Sequence, residues 1–436
     1  MTAMTRAREA ARLTPKNRNR AADFFRVLAI CFVVLGHWIL VAPFVSGNAF
    51  ELRSILAEQP RTQYLTWVFQ VMPIFFFVGG YSNAASWSSA GKVPEKRQVW
   101  ATVRFRRLLL PILPLIVIWA VGTVVGHQVG TRSDLLRDIS LTALIPVWFL
   151  AVYIMVTLLV PVTYGIWQRY GLWSATIPAL LAIMVDVIGI GFGQTWLRWT
   201  NYALIWLAVH QLGYWWWRGG VTGIRAGLLV LIGLVWMTVL MGPAGYSVSM
   251  VSVAGQDFSN SRPPTTAMAA LGAVQIGLML LTSGFVSRWL MRETPWAVVI
   301  LVGQRIMTIY LWHLTVAVAV IGLSLAVGGT GLRLTPGEGI WWVTRPIWVI
   351  VLALSLVPIL LIFGPVESEA RLPGNFPVGL VRTVAGTVLT CAGLAALALY
   401  GTTSTGFLGL NWPGVGLTIA GVILVTGLPM SGQKRR

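Results

Sequence analysis

Apolar runs long enough to cross a bilayer recur from one end of this chain to the other. Twelve can be drawn: 27–46, 64–86, 108–128, 146–166, 173–191, 201–217, 226–243, 268–287, 297–327, 346–365, 378–400 and 414–430. A hydrocarbon layer of about 30 Å takes roughly 20 residues of helix. Within it every backbone N–H and C=O must bond inside the protein, which leaves helices or closed barrels. The ten-residue polar/apolar alternation of an outer-membrane barrel is absent. The reading is therefore an all-α, polytopic transmembrane helical bundle of about twelve segments. Composition agrees: 56% of the 436 residues are hydrophobic and 10% charged, against about 25% charged in a soluble protein. No long polar stretch is left for a soluble domain. Segment 297–327 is long enough to be tilted or broken.

The net charge of +19 invites a nucleic-acid reading, but its distribution argues for topology instead. With the N-terminus in the cytoplasm, cytoplasmic parts carry 23 of the 32 Lys and Arg, outside parts carry eight, and Arg305 lies within a helix. This asymmetry is the positive-inside pattern of an inner-membrane protein with both termini cytoplasmic. Membrane lipids are the implied surroundings, with no nucleic-acid partner. The outside set includes Arg198 and Arg345. The apolar run after the basic N-terminus is too long for a signal-peptide core and lacks an A-x-A site, so it reads as a retained first span. Cys31 and Cys391 lie in apolar runs and suggest neither a disulfide nor zinc; no metal is expected.

The first apolar segment carries the most informative polar group, in DFFRVLAICFVVLGHWIL. Eleven residues are close to three helical turns, so Arg26 and His37 share a face, with His37 roughly 16 Å further along the axis. Asp23 lies one turn before Arg26, nearly on that face. Such groups are costly in lipid and usually meet a cavity, a substrate or each other.

Other polar groups punctuate the bundle. All four histidines, His37, His127, His210 and His313, lie in apolar segments. His127 sits near a helix end and suits an interface, while His210 beside Gln211 suggests an inward-facing polar pair. His313 follows Tyr310 by one turn and shares a broad face with Arg305. Asp186 reads as a carboxylate paired with an arginine for helix association. Pro73 can kink the second segment, and Gly79 and Gly80 permit close helix approach before Tyr81, Ser82 and Asn83. Arg97, Arg104, Arg106 and Arg107 stand in what reads as a cytoplasmic loop, either as a topology anchor or as a phosphate clamp. The loop 244–267, rich in Ser, Gly and Pro, reads as flexible: a linker, or a lid over an acceptor. No fixed-period repeat and no inverted pair of broken helices is apparent.

These residues together resemble the acyltransferase-3 family of integral membrane acyltransferases. The Arg26-x10-His37 spacing looks like the family's first-helix motif. MPIFFFVGGY at 72–81 resembles its second-helix element, with Gly79 where the family has Ser. Arg104-x2-Arg107 followed by Pro111, then Trp148-Phe149-Leu150, then IYLWH at 309–313 match further landmarks in order, with Ile306 in a region where the family often has a hydroxyl. The resemblance divides the chain into a basic cytoplasmic tail (1–20), a ten-helix membrane domain (21–367) and an additional C-terminal helix pair with a basic tail (368–436).

What the resemblance implies is an acyltransferase of groups other than aminoacyl groups. It would move acetyl or another short acyl group from cytoplasmic acyl-CoA, the co-substrate, to a hydroxyl of a cell-envelope glycan or lipid. No tightly bound cofactor is implied. His37 would be general base or transient acyl carrier, with Arg26 orienting the donor and Asp23 fixing Arg26. Arg97, Arg104, Arg106 and Arg107 would bind the donor. Tyr310, His313, Tyr81 and His210 are candidates for acceptor binding or oxyanion support. Two other classes stay open: a proton-coupled transporter or lipid flippase using Asp186, His210, Arg305 and His313, and a membrane scaffold.

Overall fold

The structure, a computed structural model, describes residues 2–15, 18–47, 49–370 and 378–427. In chain order the helices are α1 (Ala3–Arg12), α2 (Arg20–Leu40), α3 (Ile55–Glu58), α4 (Thr66–Phe69), α5 (Met72–Ala90), α6 (Pro94–Leu109), α7 (Ile112–Gln128), α8 (Ser133–Ala143), α9 (Ile145–Leu158) and α10 (Val160–Tyr170). They continue with α11 (Trp173–Asp186), α12 (Asn201–Trp217), α13 (Gly223–Met241), α14 (Thr266–Trp289), α15 (Glu293–Gly303), α16 (Ile306–Ala326), α17 (Gly339–Glu369), α18 (Leu380–Tyr400) and α19 (Trp412–Thr426). Strands β1 (Val41–Ser46) and β2 (Ala49–Ser54) form an antiparallel hairpin between α2 and α3.

Each of the twelve expected segments falls on helix. Among the described residues nine helical stretches are long and apolar enough to cross a membrane, or ten if α8 and α9, bent by 50°, form one span. Arg371, the residues at 428–430 that closed the last expected segment, and the basic residues 434–436 lie outside the described residues.

Several boundaries differ from the sequence reading for local reasons. The first span ends at Leu40 rather than at 46, because Pro43 has no N–H to donate and biases its predecessor towards extended backbone. The long segment 297–327 is broken: α15 ends at Gly303, and Arg305 (φ −120°, ψ 15°) opens α16. Arg305 therefore stands at a break and not within a helix. A further break separates α4 from α5 at Gln70 (φ −82°, ψ 75°). The break in 297–327 is the one its length allowed, and the break at Gln70 was not foreseen.

The chain forms two compact units. The first comprises Met1–Ala85, Val160–Ile306 and Leu323–Val351. Within it α13 packs on α14 and α11 on α12. The ring of Phe76 stacks on Trp206 at 4.5 Å. Gly80 and Gly213 mark a close crossing: a Cβ on Gly80 would lie 1.8 Å from the His210 carbonyl, and one on Gly213 would lie 2.1 Å from that of Phe77. Only a residue without a side chain lets the two backbones approach so far.

The segment 244–267 is an ordered cap, not a flexible linker. The Asn260 amide donates to the carbonyls of Ser247 (2.7 Å) and Ser249 (2.9 Å), and Thr66 Oγ1 accepts from Met250 N–H (2.9 Å). Trp67 Nε1 donates to the Val248 carbonyl at 2.8 Å. Its serines and asparagine satisfy the irregular backbone from within, a local pattern that composition alone reads as looseness. Asp186 closes the far side. Its carboxylate accepts from Asn201 Nδ2 (2.8 Å), from the Thr266 N–H at the start of α14 (2.6 Å) and from Tyr246 Oη (3.3 Å). Asp186 thus caps a helix N-terminus rather than forming the expected arginine pair. Burial, and then the nearby Asp186 charge, raise the Tyr246 phenol above its ordinary range.

The second unit comprises Ser86–Leu159, Met307–Gly322 and Leu352–Arg436. Here α18 and α19 pair along their length, α18 lies on α9, and α19 lies on α6. Leu394, Leu397, Val415, Val422 and Val425 are buried between these helices and their neighbours. His127, at the end of α7, is exposed and lies against Gly409, in keeping with an interfacial position.

Candidate functional site

In the first unit, α2 is continuous from Arg20 to Leu40, so Arg26 and His37 do lie on one face of one helix. They do not touch: the helical rise keeps them roughly 16 Å apart. Asp23 and Arg26 do pair. Arg26 Nη2 meets Asp23 Oδ1 at 2.8 Å, and Arg18 Nε meets Asp23 Oδ2 at 2.7 Å. Arg18 is a partner that the sequence reading missed, since it lies before the helix and outside any helical spacing rule. Arg26 Nε is buried with no hydrogen-bond partner among the described residues. His37 is half-buried. Beside it Gly36 admits Phe69 of the broken α4: a Cβ there would lie 2.8 Å from the Phe69 Cβ.

His210 and Tyr81 belong to the same unit. His210 is fully buried, and its Nε2 lies 3.0 Å from Asn83 Nδ2, so the amide donates and the imidazole accepts. Its ring meets Tyr214 edge-on, and Tyr214 Oη bonds Thr163 Oγ1 at 2.9 Å. The expected partner Gln211 instead donates to the Ser174 carbonyl at 2.8 Å. Asn83 was visible as a polar residue, but its pairing spans 127 positions and no local pattern carries it. The Tyr81 ring lies 4.5 Å from Trp216.

In the second unit the four arginines stand on helix α6, not in a loop. At 100° per residue, Arg97, Arg104 and Arg107 fall within about 80° of arc, with Arg106 across the helix. Arg97 is committed: its Nε donates to the Gly91 carbonyl at 2.9 Å, and its guanidinium lies 4.9 Å from the Trp87 ring. Arg104 Nε and Arg106 Nε are each buried with no hydrogen-bond partner among the described residues. A buried donor left in that state costs about 1–3 kcal/mol.

Tyr310 and His313 are also brought together here. Tyr310 Oη donates to the Pro146 carbonyl at 2.8 Å, and its ring meets Phe149 edge-on at 5.5 Å. That hydroxyl proton is committed to backbone, which weakens Tyr310 as an oxyanion donor. His313 Nδ1 lies 2.7 Å from the Tyr310 carbonyl. A carbonyl only accepts, so Nδ1 carries a proton and donates it. Glu367, unforeseen from sequence, is buried and caps α16. It accepts from Met307 N–H (3.3 Å), Thr308 N–H (3.0 Å) and Thr308 Oγ1 (2.9 Å). Thr308 supplies a hydroxyl two residues from Ile306.

A scan of family models gives one that decides the class: the model described as an acyltransferase domain matches residues 19–364. The chain belongs to the acyltransferase-3 family. The match takes in Asp23, Arg26 and His37, all four α6 arginines, and Tyr310 and His313. With its apolar helices, this acyltransferase-3 protein is a membrane acyltransferase. No curated protein and no solved structure gives a match.

Proposed function

We propose that this enzyme moves a short acyl group, such as acetyl, from cytoplasmic acyl-CoA to a hydroxyl of a cell-envelope glycan or lipid. It would do so in the cytoplasmic membrane with both termini in the cytoplasm. The observation that carries the reading is the family match over residues 19–364. The buried Nε of Arg104, with no hydrogen-bond partner among the described residues, supports it. Acyl-CoA brings phosphate oxygens, and guanidinium forks suit them. Arg104 with Arg107, one turn apart, forms the donor clamp. Arg97 is already committed to Gly91 and Trp87, and Arg106 faces the other way.

His37 is the general base. It takes the proton of the acceptor hydroxyl as the oxygen attacks the thioester carbonyl. The tetrahedral intermediate then expels the CoA sulfur, breaking the C–S bond, and the proton on His37 passes to the leaving thiolate. Arg26, held by Asp23, orients the donor or offsets charge developing on it. His313, next to Tyr310, is the second imidazole proposed for the acceptor side.

One observation favours the transporter class: broken helices within an apolar chain, as at Gln70 and Arg305. Mass spectrometry of envelope glycans and lipids, with and without the protein, separates the two. The acyltransferase predicts one species heavier by an acyl unit, and His37→Ala abolishes that shift. An unchanged mass profile alongside movement of a labelled solute would overturn the proposal.

A further inference from the structure

The sequence reading placed Arg345 outside the bilayer segments, just before the apolar run that opens at 346; it lies in the second turn of α17 and is only 9% exposed. Its guanidinium carbon sits 3.5 Å from the centroid of the Trp341 ring and 5.7 Å from that of Trp348. Arg345 Nη1 donates to the Val41 carbonyl at 3.2 Å, and Trp348 Nε1 donates to the Trp38 carbonyl at 3.0 Å. Trp341, Arg345 and Trp348 are spaced i, i+4 and i+7, so one face of α17 presents all three. Trp341 is itself buried with Ala42 and Ile55.

Their target is the end of α2. The last carbonyls of any helix lack intrahelical partners, and in an apolar setting they need donors from elsewhere. A cation at a helix C-terminus also complements the helix dipole. Trp38 and Val41 bracket the final turn, and the Val41 N–H bonds back to the His37 carbonyl. The grip therefore falls on the turn that begins at His37. A buried arginine is a costly way to hold a helix end in place. A rigid mount for a reacting imidazole accounts for it, because misplacement by about 1 Å can lower a rate about a hundredfold.

We propose that Arg345, with Trp348, is a positioning residue for His37, fixing the last turn of α2 so that the imidazole meets the substrates. The proposal rests on the reading of His37 as the base. The test uses the purified full chain in lipid nanodiscs with radiolabelled acetyl-CoA and envelope extract. Arg345→Gln lowers kcat about tenfold to a hundredfold with KM for acetyl-CoA within about twofold, and Arg345→Lys restores most of the rate. Hydrogen exchange of the amides at 38–45 rises in Arg345→Gln and stays low in Arg345→Lys. If Arg345→Gln does not fold, Trp348→Phe carries the test, with kcat down about threefold and faster exchange at the same amides.

A normal kcat in a variant with faster exchange overturns the positioning role, as does a loss that falls wholly on KM. Unchanged exchange shows that the clamp does not hold α2. Failure of the function reading looks different: wild-type protein then transfers no label, while the exchange comparison still reports on the clamp.

Discussion

Helices α2 and α6 both carry arginines of the acyltransferase-3 landmarks, but the two differ in whether an acid is paired with them. On α2 the charge is answered within the protein. Asp23 binds Arg26 on one oxygen and Arg18 on the other, and these groups remain 15–52% exposed. On α6 no acid is paired with Arg104 or Arg106 among the described residues, while a buried Nε without a partner is common to Arg26, Arg104 and Arg106. One acid bridging two arginines fixes a geometry on α2, whereas a guanidinium with no acid beside it suits an incoming anion. Under the proposed function, α2 would supply orientation and proton transfer, and α6 would capture a polyanionic donor.

Four substitutions on α2 and α6 test that division, and a fifth, on α16, sets its lower end. The largest effect is expected from His37→Ala, which removes the base and lowers kcat by roughly 10²–10⁴-fold with donor KM little changed. Equal label transfer by wild type and variant, at matched protein levels, would break the assignment. Next, Arg104→Gln raises KM for acetyl-CoA about tenfold, near the lower end of what a charged hydrogen bond supplies. Arg106→Gln, on the opposite face, raises it by less than about threefold. Equal effects from the two would show that the clamp does not follow one face. Asp23→Asn should change the rate by no more than about fivefold, because partly exposed ion pairs contribute about 0–1 kcal/mol. A loss as deep as that of His37→Ala would place Asp23 in the chemistry itself. The smallest catalytic change is expected for Tyr310→Phe. Its hydroxyl bonds the Pro146 carbonyl, so stability falls by about 1 kcal/mol in thermal unfolding while kcat stays within about twofold.

Periodicity along the chain was enough for the class and for the α2 array. Apolar runs of span length leave few alternatives to helices, and an eleven-residue separation fixes the shared face of Arg26 and His37 whatever surrounds it. The Asp23–Arg26 pair was legible for the same reason, being one helical turn. The arginine helix was less so: PEKRQVWATVRFRRLL reads as a polar loop by composition, although a Pro start and good helix formers allow α6.

The partners across long sequence distances were decided by tertiary structure alone. Asn83 meets His210, Glu367 caps the start of α16, and Arg345 grips the end of α2, over separations of 127, 59 and 304 residues. A sequence shows that a buried charge or a helix end needs a partner, because apolar surroundings penalise an unanswered polar group. Which residue answers depends on which helices the fold places side by side. For that reason Arg345 looked like one more outside charge in the sequence, while its contacts are with the Val41 carbonyl at the end of α2 and the Trp341 ring.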